Sequence, residues 1–381
     1  MEKRKIFILI ERRADYSRYR PILKKIKESS AFDLHLVVTG ICLLDVHGKD
    51  VEYIKKDGFI INAEIEMFKN DRPDTGGEMV RSMARVMGSL VDELEKAKPD
   101  VVLSGFDIGG NMAVTIAAAH LNIPVAHIQG GEVTGSIDES IRHAMTKFSH
   151  IHFPATELSK ERLIRMGEDP KKIFVVGCPS IDVLVNTEYI SKKDLESYFS
   201  LDFNKPTLLM IQHPVTTELN ESFFQIKETI DAIKETGFQT IALLPNNDAG
   251  HQDIISYIKK SNLHWYPSLP TALFVNLYRN VNVLIGNSSS GIHETPTLKI
   301  PAINIGSRQQ GRERAENVID VSHEKKIIIK AINKALFDRT FLKKLENISN
   351  PYGNGKSAAK IVEILKSINL DSSLIQKKFF D

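Results

Sequence analysis

Short apolar runs alternate with longer stretches of helical period along most of the chain. In residues 78–96, for example, Val86, Leu90 and Leu94 recur at intervals of four, which places them on one face of a helix. The short runs are continuously apolar, as expected of parallel strands that are covered on both faces. We therefore predict an α/β fold. The predicted strands are Lys5–Ile10, Leu34–Thr39, Val101–Ser104, Val125–Ile128, His150–Phe153 and Ile173–Val176, followed by Thr207–Ile211, Thr240–Leu244, Val281–Ile285 and Ala302–Ile305.

The alternation stops at residues 186–205, a polar stretch, and then starts again. A chain of 381 residues is also longer than one hydrophobic core usually serves. We predict two Rossmann-like domains, 1–185 and 186–381, whose parallel sheets face a cleft between the domains. The last helical pattern, 358–365, follows the second domain and is a candidate to pack back on the first. The other predicted helices are Tyr19–Lys27, Glu78–Lys96, Met112–His120, Glu221–Glu235, Asp253–Lys260 and Lys325–Ala335.

Composition narrows the class of protein. A formal net charge of +2 provides no basic field for nucleic acid, so we predict no such partner. Two cysteines, Cys42 and Cys178, cannot alone build a disulfide framework or a thiolate zinc site, which suits a reducing compartment. No apolar run approaches the roughly 20 residues that cross a bilayer. Because the first predicted strand begins near Met1, leaving no room for a signal peptide, we expect a soluble, cytoplasmic protein without a membrane partner.

The candidate catalytic and binding residues lie in loops that follow predicted strands, which is where open α/β sheets bind their ligands. In the first such loop, Arg13 and Ser17 could contact a diphosphate. The alternative is a helix capped by Asp15 or Ser17, with the arginines in solvent. After the strand at 101–104, Asp107 could move protons, although an ordinary glycine-rich turn explains the same residues.

The third loop is the richest in charged side chains. Glu132 and Asp138 are candidates for proton transfer, and Arg142 follows Asp138 by one helical turn, where it could hold that charge. Ser136 and Glu139 have the spacing of a capping box, which is a structural role. Four charged residues and a histidine exceed what capping requires. We therefore favour a catalytic role for this loop.

The second half of the chain offers groups that could hold a nucleotide. His213 ends a strand and suits a phosphate ligand or an acid. Asn246 is a candidate substrate contact, although its segment would usually form only a turn. Serines at 288–290 could bind phosphate, and Glu294 could accept both ribose hydroxyls. Arg308 could reach the same phosphates. We predict that the second domain holds the nucleotide and the first carries out the chemistry.

Together these motifs resemble the hydrolysing UDP-N-acetylglucosamine 2-epimerases, including the epimerase half of the human bifunctional sialic-acid enzyme. The resemblance extends over essentially the whole chain. It is carried by RADYS at 13–17, GGEVTGSID at 130–138, SIRHA at 140–144, GCPS at 177–180, QHPVTT at 212–217, PNNDAG at 245–250, IGNSSSG at 285–291 and GSRQQGRE at 306–313.

The resemblance implies the GT-B fold and a reaction that needs no metal or redox cofactor. A base removes the proton at C2 of the N-acetyl sugar while the nucleoside diphosphate leaves C1, and water then adds to the resulting glycal. The products are a free ManNAc-type sugar and the nucleoside diphosphate, in sialic or legionaminic acid synthesis. Members of the family commonly form homodimers or homotetramers.

The resemblance also implies site residues. It assigns Asp138 to proton transfer. The nucleotide-sugar side comprises the diphosphate contacts Arg13, Ser17 and His213, the base-pocket residue Phe274, the phosphate ligands Ser288 and Ser289, the ribose ligand Glu294, and Arg308.

Two positions depart from the family pattern. The family usually has a glutamate where this chain has Gln129, which cannot accept a proton at neutral pH. The family's aspartate after the 101–104 strand is displaced here by one residue, to Asp107. Asp107 and Glu132 are candidate replacements, and Gln129 itself is a candidate substrate contact. Such changes could accommodate a UDP- or GDP-linked 2,4-diacetamido-trideoxyhexose instead of UDP-GlcNAc.

Other functions remain open at this point. A non-hydrolysing 2-epimerase would return the epimer to the nucleotide, although the 130–143 run resembles the hydrolysing branch. A sugar-nucleotide binding protein without catalysis would follow from loss of the two carboxylates. A glycosyltransferase shares the expected fold, because fold does not fix function.

Overall fold

The computed structural model describes residues 3–69, 72–106 and 109–381. The described residues form two α/β units, each built on a six-stranded sheet. The strands of the first sheet are β1 (Arg4–Ile10), β2 (Phe32–Thr39), β3 (Ala63–Ile65), β4 (Val101–Gly105), β5 (Val125–Ile128) and β6 (Ile151–Phe153). Those of the second are β7 (Thr207–Ile211), β8 (Gln239–Leu243), β9 (His264–Tyr266), β10 (Val283–Gly286), β11 (Ala302–Ile305) and β12 (Val318–Val321).

Helices cover both faces of the two sheets. Those that accompany the first are α1 (Arg13–Glu28), α2 (Val51–Lys56), α3 (Gly76–Ala97), α4 (Gly109–His120), α5 (Asp138–Phe148), α6 (Glu157–Arg165) and α7 (Pro179–Asn186). The rest of the chain adds α8 (Lys192–Phe199), α9 (Ser222–Thr236), α10 (His251–Lys260), α11 (Thr271–Tyr278), α12 (Ser290–His293), α13 (Thr295–Leu298), α14 (Lys325–Phe337), α15 (Arg339–Leu345), α16 (Ser357–Ser367) and α17 (Ser372–Ile375). Within the described ranges, none of these helices is long and apolar enough to cross a membrane.

The two sheets have the same topology. Their orders are β3-β2-β1-β4-β5-β6 and β12-β11-β10-β7-β8-β9, and every strand pairing is parallel. In each sheet the order reverses beside the first strand, between β1 and β4 and between β7 and β10. Ligands of such folds bind at this switch point, beyond the carboxyl ends of the strands. The predicted α/β class, the two Rossmann-like sheets and their parallel pairing are confirmed.

The end of the chain returns to the first unit. On α16, Ala358, Ile361 and Leu365 are buried in the same core cluster as Ile22 of α1. All strands of the first sheet end by residue 153 and those of the second begin at 207, so the connection between the sheets contains the predicted boundary near 186. The division at 185/186 stays a prediction, because α7 contributes to a cluster of the second unit and to another that joins residues of both units, such as Ala155 and Ile292.

The strand prediction was wrong at Ile173–Val176, which forms only one isolated bridge, to His152. Two hydrogen bonds guide this segment along β6, but the chain then turns away at Gly177, where φ is 91°. The sequence prediction also missed β3, β9 and β12. These three strands have only three or four residues and lie at sheet edges, so each leaves little apolar pattern to detect.

Candidate active site

A cavity of about 260 Å³ lies between the two units, lined by loops that follow strands of both sheets. The structure brings most of the predicted site residues to its wall. They are Arg13, Ser17, Gln129, Glu132, Asp138, His213, Asn246, Phe274, Ser288, Ser289, Glu294 and Arg308. Arg142 is buried behind this wall, where it contacts the backbone of Glu132. Asp107 lies outside the described residues.

The loop after β1 presents two arginines with different partners. Arg12 is held by Asp15, whose carboxylate accepts from the Arg12 backbone N–H at 3.0 Å and from its guanidinium at 3.2 Å. Asp15 therefore stabilises the start of α1, as the capping interpretation expected. Arg13 pairs with Asp50 and stacks 4.5 Å from the ring centre of Tyr53. Arg13 is thus not a solvated side chain, because its guanidinium is fixed at the cavity wall.

Glu132 lies at the centre of a buried network that joins the two units. Its Oε2 lies 3.0 Å from Arg312 Nη2 and 3.3 Å from His293 Nε2, both contributed by the second unit. Its Oε1 accepts from Gln129 Nε2 at 2.9 Å, and its backbone carbonyl accepts from Arg142 Nη1 at 2.8 Å. Burial alone would raise the pKa of Glu132, but Arg312 and His293 outweigh it and hold that pKa far below its usual range. The Glu132 carboxylate is therefore a fixed anion.

Asp138 begins α5 and faces the second unit. Its Oδ2 lies 3.5 Å from Arg308 Nη2, and the side chain keeps about a third of its surface exposed in the cavity. The backbone supports this approach, because Gly135 N–H donates to the Arg308 carbonyl at 3.0 Å. A side chain at Gly135 would collide with the Ser307 carbonyl, so the two loops can meet only if this position is glycine.

The predicted Ser136–Glu139 capping box was wrong. The Glu139 carboxylate accepts from the Thr134 backbone N–H at 2.6 Å, and Ser136 Oγ has no hydrogen bond among the described residues. The residue before α5, Ile137, is already helical, so Ser136 does not occupy the N-cap position. Glu139 instead fixes the loop backbone at Thr134, two residues before Ser136.

His213 is locked in one tautomer at the end of β7. Its Nδ1 accepts from the Asn246 backbone N–H at 3.1 Å, so the ring hydrogen of the neutral form is on Nε2. Burial, together with the charges of Arg308 and Arg12, holds the pKa of His213 well below its usual value. His213 is therefore a neutral hydrogen-bond donor at the cavity wall.

The serines after β10 lie where the two units meet. Ser289 Oγ accepts from Arg18 Nη2 of α1 at 3.3 Å, and Ser288 Oγ accepts from the Ser290 backbone N–H at 3.3 Å. One carboxylate oxygen of Glu294 is buried without a hydrogen bond in the described part of the chain. Hydroxyls, amides and a carboxylate with free acceptor capacity form a wall suited to phosphate and ribose.

The sequence prediction missed several charged residues around the cavity. Burial and the nearby Asp138 carboxylate raise the pKa of Asp248, which also lies within electrostatic reach of Arg12 and Arg308. Burial raises the pKa of Glu11 to about 7, even though its carboxylate accepts from Gly110 N–H at 2.7 Å. Glu11 directly follows β1, and this position could have identified it as a candidate site residue. Asp248 and Arg312 lie inside the motifs PNNDAG at 245–250 and GSRQQGRE at 306–313. No local spacing predicts that Arg312 and His293 meet Glu132.

Among the described residues, no three His, Cys, Asp or Glu side chains come together in a group that could hold a metal ion. The cavity offers instead guanidinium groups, hydroxyls, amides and isolated carboxylates. Such a set suits an anionic ligand, and its carboxylates can accept or donate protons.

Comparison with known proteins identifies the family. Residues 24–366 match the family model described as UDP-N-acetylglucosamine 2-epimerase. A protein of Legionella pneumophila named UDP-N,N'-diacetylbacillosamine 2-epimerase (hydrolyzing) is 38% identical over 98% of both chains. A GDP/UDP-N,N'-diacetylbacillosamine 2-epimerase (hydrolyzing) of Campylobacter jejuni is 33% identical over 100% of both.

The solved structures agree on the fold. The crystal structure of UDP-GlcNAc 2-epimerase from Neisseria meningitidis bound to UDP-GlcNAc superposes with a TM-score of 0.81, covering 95% of this chain and 99% of that chain at 23% identity. At this identity the likeness concerns the fold alone, which is of the GT-B type. With the family match and the full-length relatives, it follows that the chain belongs to the hydrolysing UDP-N-acetylglucosamine 2-epimerase family and is an enzyme of that type.

Proposed function

We propose that this enzyme converts a UDP-linked 2,4-diacetamido-2,4,6-trideoxyhexose to the free 2-epimer and UDP, for synthesis of a nonulosonic acid of the legionaminic type. The names of the two full-length relatives support this substrate class. The two departures at Gln129 and Asp107 support a sugar other than N-acetylglucosamine. The proposal includes the predicted cytoplasmic location and a homodimer or homotetramer.

One observation carries the mechanism: the 3.5 Å approach of Asp138 to Arg308 across the cleft. A carboxylate that accepts the C2 proton must lie close to the cation that receives the leaving diphosphate, because both groups serve adjacent sugar carbons. Asp138 and Arg308 meet that requirement from opposite units. Asp138 takes the C2 proton, the C1–O bond breaks with its electron pair on the diphosphate, and the glycal remains.

The second unit holds the nucleotide in this proposal. Phe274 packs against the base, Glu294 accepts the ribose hydroxyls, and Ser288 with Ser289 binds phosphate oxygens. His213 donates from Nε2 to the departing diphosphate, so its neutral form stabilises charge without giving up a proton. Water then adds its hydroxyl to C1 and a proton returns to C2.

The proposal gives Glu132 a role other than the proton transfer expected from the sequence. Because its pKa is held far below the usual range by Arg312 and His293, it is a poor proton acceptor. We propose that Glu132 positions the catalytic loop against the second unit. Asp107 stays a candidate for the second proton transfer.

Product analysis tests this proposal. UDP-linked 2,4-diacetamido-2,4,6-trideoxyglucose, its GDP counterpart and UDP-GlcNAc are incubated separately with the enzyme, and products are followed by NMR and anion-exchange chromatography. We expect UDP and the free 2-epimer, with the highest kcat/KM for the UDP-linked diacetamido sugar. Recovery of an epimer still attached to its nucleotide would establish the non-hydrolysing reaction instead. Preference for UDP-GlcNAc or GDP would overturn the substrate assignment.

A further inference from the structure

An unsatisfied acceptor lies at the first-domain wall of the cavity, on Gln129. The side chain is only 4% exposed and adopts a left-handed backbone conformation, with φ at 60°, which is costly for a residue with a side chain. Its Nε2 donates to Glu132 Oε1 at 2.9 Å, and its Oε1 has no partner among the described residues. A strained, buried amide with one free atom indicates a ligand contact.

The network around Glu132 fixes which atom of Gln129 is free. Reversing the amide would place its oxygen against the Glu132 carboxylate, which Arg312 and His293 keep ionised. Two acceptors at that distance repel each other. Gln129 therefore presents a carbonyl oxygen, and the ligand must supply a hydrogen-bond donor.

Thr134, in the same loop, provides the complementary group. Its backbone N–H is taken by the Glu139 carboxylate at 2.6 Å, but its buried hydroxyl has no hydrogen bond in the described ranges. Both Thr134 and Gln129 line the cavity, together with Phe106 and Ile41. One wall thus combines an unpaired acceptor, an unpaired hydroxyl and apolar surface.

We propose that Gln129 and Thr134 are specificity residues that bind an acetamido group of the sugar. Gln129 Oε1 accepts the amide N–H, Thr134 Oγ donates to the amide carbonyl, and the methyl group contacts the apolar part of the wall. An acetamido group is the smallest common sugar substituent that supplies a donor, an acceptor and a methyl group together. A hydroxyl in its place has its donor and acceptor on a single atom and supplies no methyl group for the apolar part of the wall, so it replaces these contacts less completely. That the ligand is a sugar nucleotide rests on the proposed function.

Affinities measured by rapid displacement of a fluorescent UDP analogue test the inference without requiring turnover. The competitors are UDP, UDP-glucose, UDP-GlcNAc and the UDP-linked 2,4-diacetamido sugar. The variants are Gln129→Met and Thr134→Val, which keep side-chain size but remove the polar atoms. Gln376→Met and Thr340→Val, both on exposed positions away from the cavity, are the matched controls.

The wild type should bind acetamido sugars at least tenfold more tightly than UDP-glucose. Each cavity variant should lose about tenfold in affinity for acetamido sugars, with UDP affinity close to that of the controls. The thermal midpoint should match the controls for Thr134→Val and fall for Gln129→Met, because Glu132 Oε1 loses its donor. A loss confined to the diacetamido sugar would assign the contact to the C4 group, and equal losses for UDP-GlcNAc would assign it to C2. Unchanged affinities, or a parallel loss for UDP, would overturn the inference. If the protein binds acetamido sugars selectively but releases no UDP, the proposed function is wrong and the inference about Gln129 and Thr134 stands.

Discussion

Asp138 and Arg308 face each other across the cleft, with 3.5 Å between Oδ2 and Nη2. In the proposed reaction, the guanidinium of Arg308 therefore serves both the proton acceptor Asp138 and the leaving diphosphate. By contrast, Arg12 is held by two hydrogen bonds from its side chain to Asp15. The longer Arg308 contact suits an arginine that exchanges one anionic partner for another during the reaction.

Asp138→Asn should separate catalysis from nucleotide binding. We expect kcat to fall by about 10²–10⁴-fold, because the amide cannot accept the C2 proton. UDP should bind as tightly as before or more tightly, because Arg308 loses a competing anion. Steady-state kinetics and calorimetric titration with UDP measure the two effects, with the exposed Glu157→Gln as control. A matching loss of UDP affinity, or retained turnover, would contradict the proposed role.

Glu132 and Arg312 should be coupled in stability. Removing one member of a buried ion pair leaves the other charge unpaired, so Glu132→Gln or Arg312→Gln should each lower the free energy of unfolding by about 3 kcal/mol. The double variant should lose less than the sum, with a coupling energy above about 1 kcal/mol. Denaturant unfolding of the four proteins measures this cycle. Simple additivity would show that the pair does not join the two units.

His213 should stay neutral through the physiological pH range. Its pKa is lowered by burial and by Arg308 and Arg12, so the ring gains no proton as pH falls from 8 to 6. In an NMR titration the His213 Cε1–H signal, assigned by its absence in His213→Asn, should not shift over that interval. An inflection near pH 6.5, the ordinary histidine value, would mean that His213 can act as a general acid.

Glu11 should make stability depend on pH. Its pKa is raised to about 7 in the folded protein, against an ordinary value of 4.5, so the folded state holds a proton that the unfolded state releases. Stability therefore falls as pH rises from about 4.5 to 7, by up to about 3 kcal/mol. Glu11→Gln should remove this loss and be relatively more stable at pH 8 than at pH 5. An equal change in unfolding free energy at pH 5 and pH 8 would contradict the raised pKa of Glu11. The exposed Glu28→Gln is the control.

Lys377 should stabilise the far end of the helix that begins with Asp138. Its ammonium donates to the carbonyls of Thr146, Lys147 and Ser149 at 2.7–3.1 Å and pairs with the buried Glu168. Lys377→Met leaves these groups unsatisfied and should cost about 2 kcal/mol in unfolding free energy. Thermal and denaturant unfolding measure the change, and the exposed neighbour Lys378→Met is the control. Equal stability of the two variants would contradict the assignment.

The fold could be predicted from the sequence because the central strands of each sheet are recognisable as continuous apolar runs. β7 and β11 were predicted at their observed bounds, whereas the short β9, whose residues are largely exposed, leaves no such pattern. The predicted wall residues reach one cavity because each follows a parallel strand, and the carboxyl ends of parallel strands share one edge.

Contacts between the two units could not be predicted in the same way. Glu132 looks like a free catalytic acid in the sequence, because its partners Arg312 and His293 lie more than 150 residues away. The Asp138 charge that helps to raise the pKa of Asp248 likewise comes from the other unit. Local spacing contains no information about such pairs.

The most direct test of the account follows isotopes from water into the products. The UDP-linked diacetamido sugar is turned over once in H₂¹⁸O and once in D₂O, and the products are examined by mass spectrometry and NMR. Elimination followed by water addition predicts ¹⁸O at C1 of the free sugar, deuterium at C2 of the inverted centre, and UDP without ¹⁸O. Label in the UDP phosphate, or a free sugar without deuterium at C2, would contradict the proposed hydrolysing 2-epimerase mechanism.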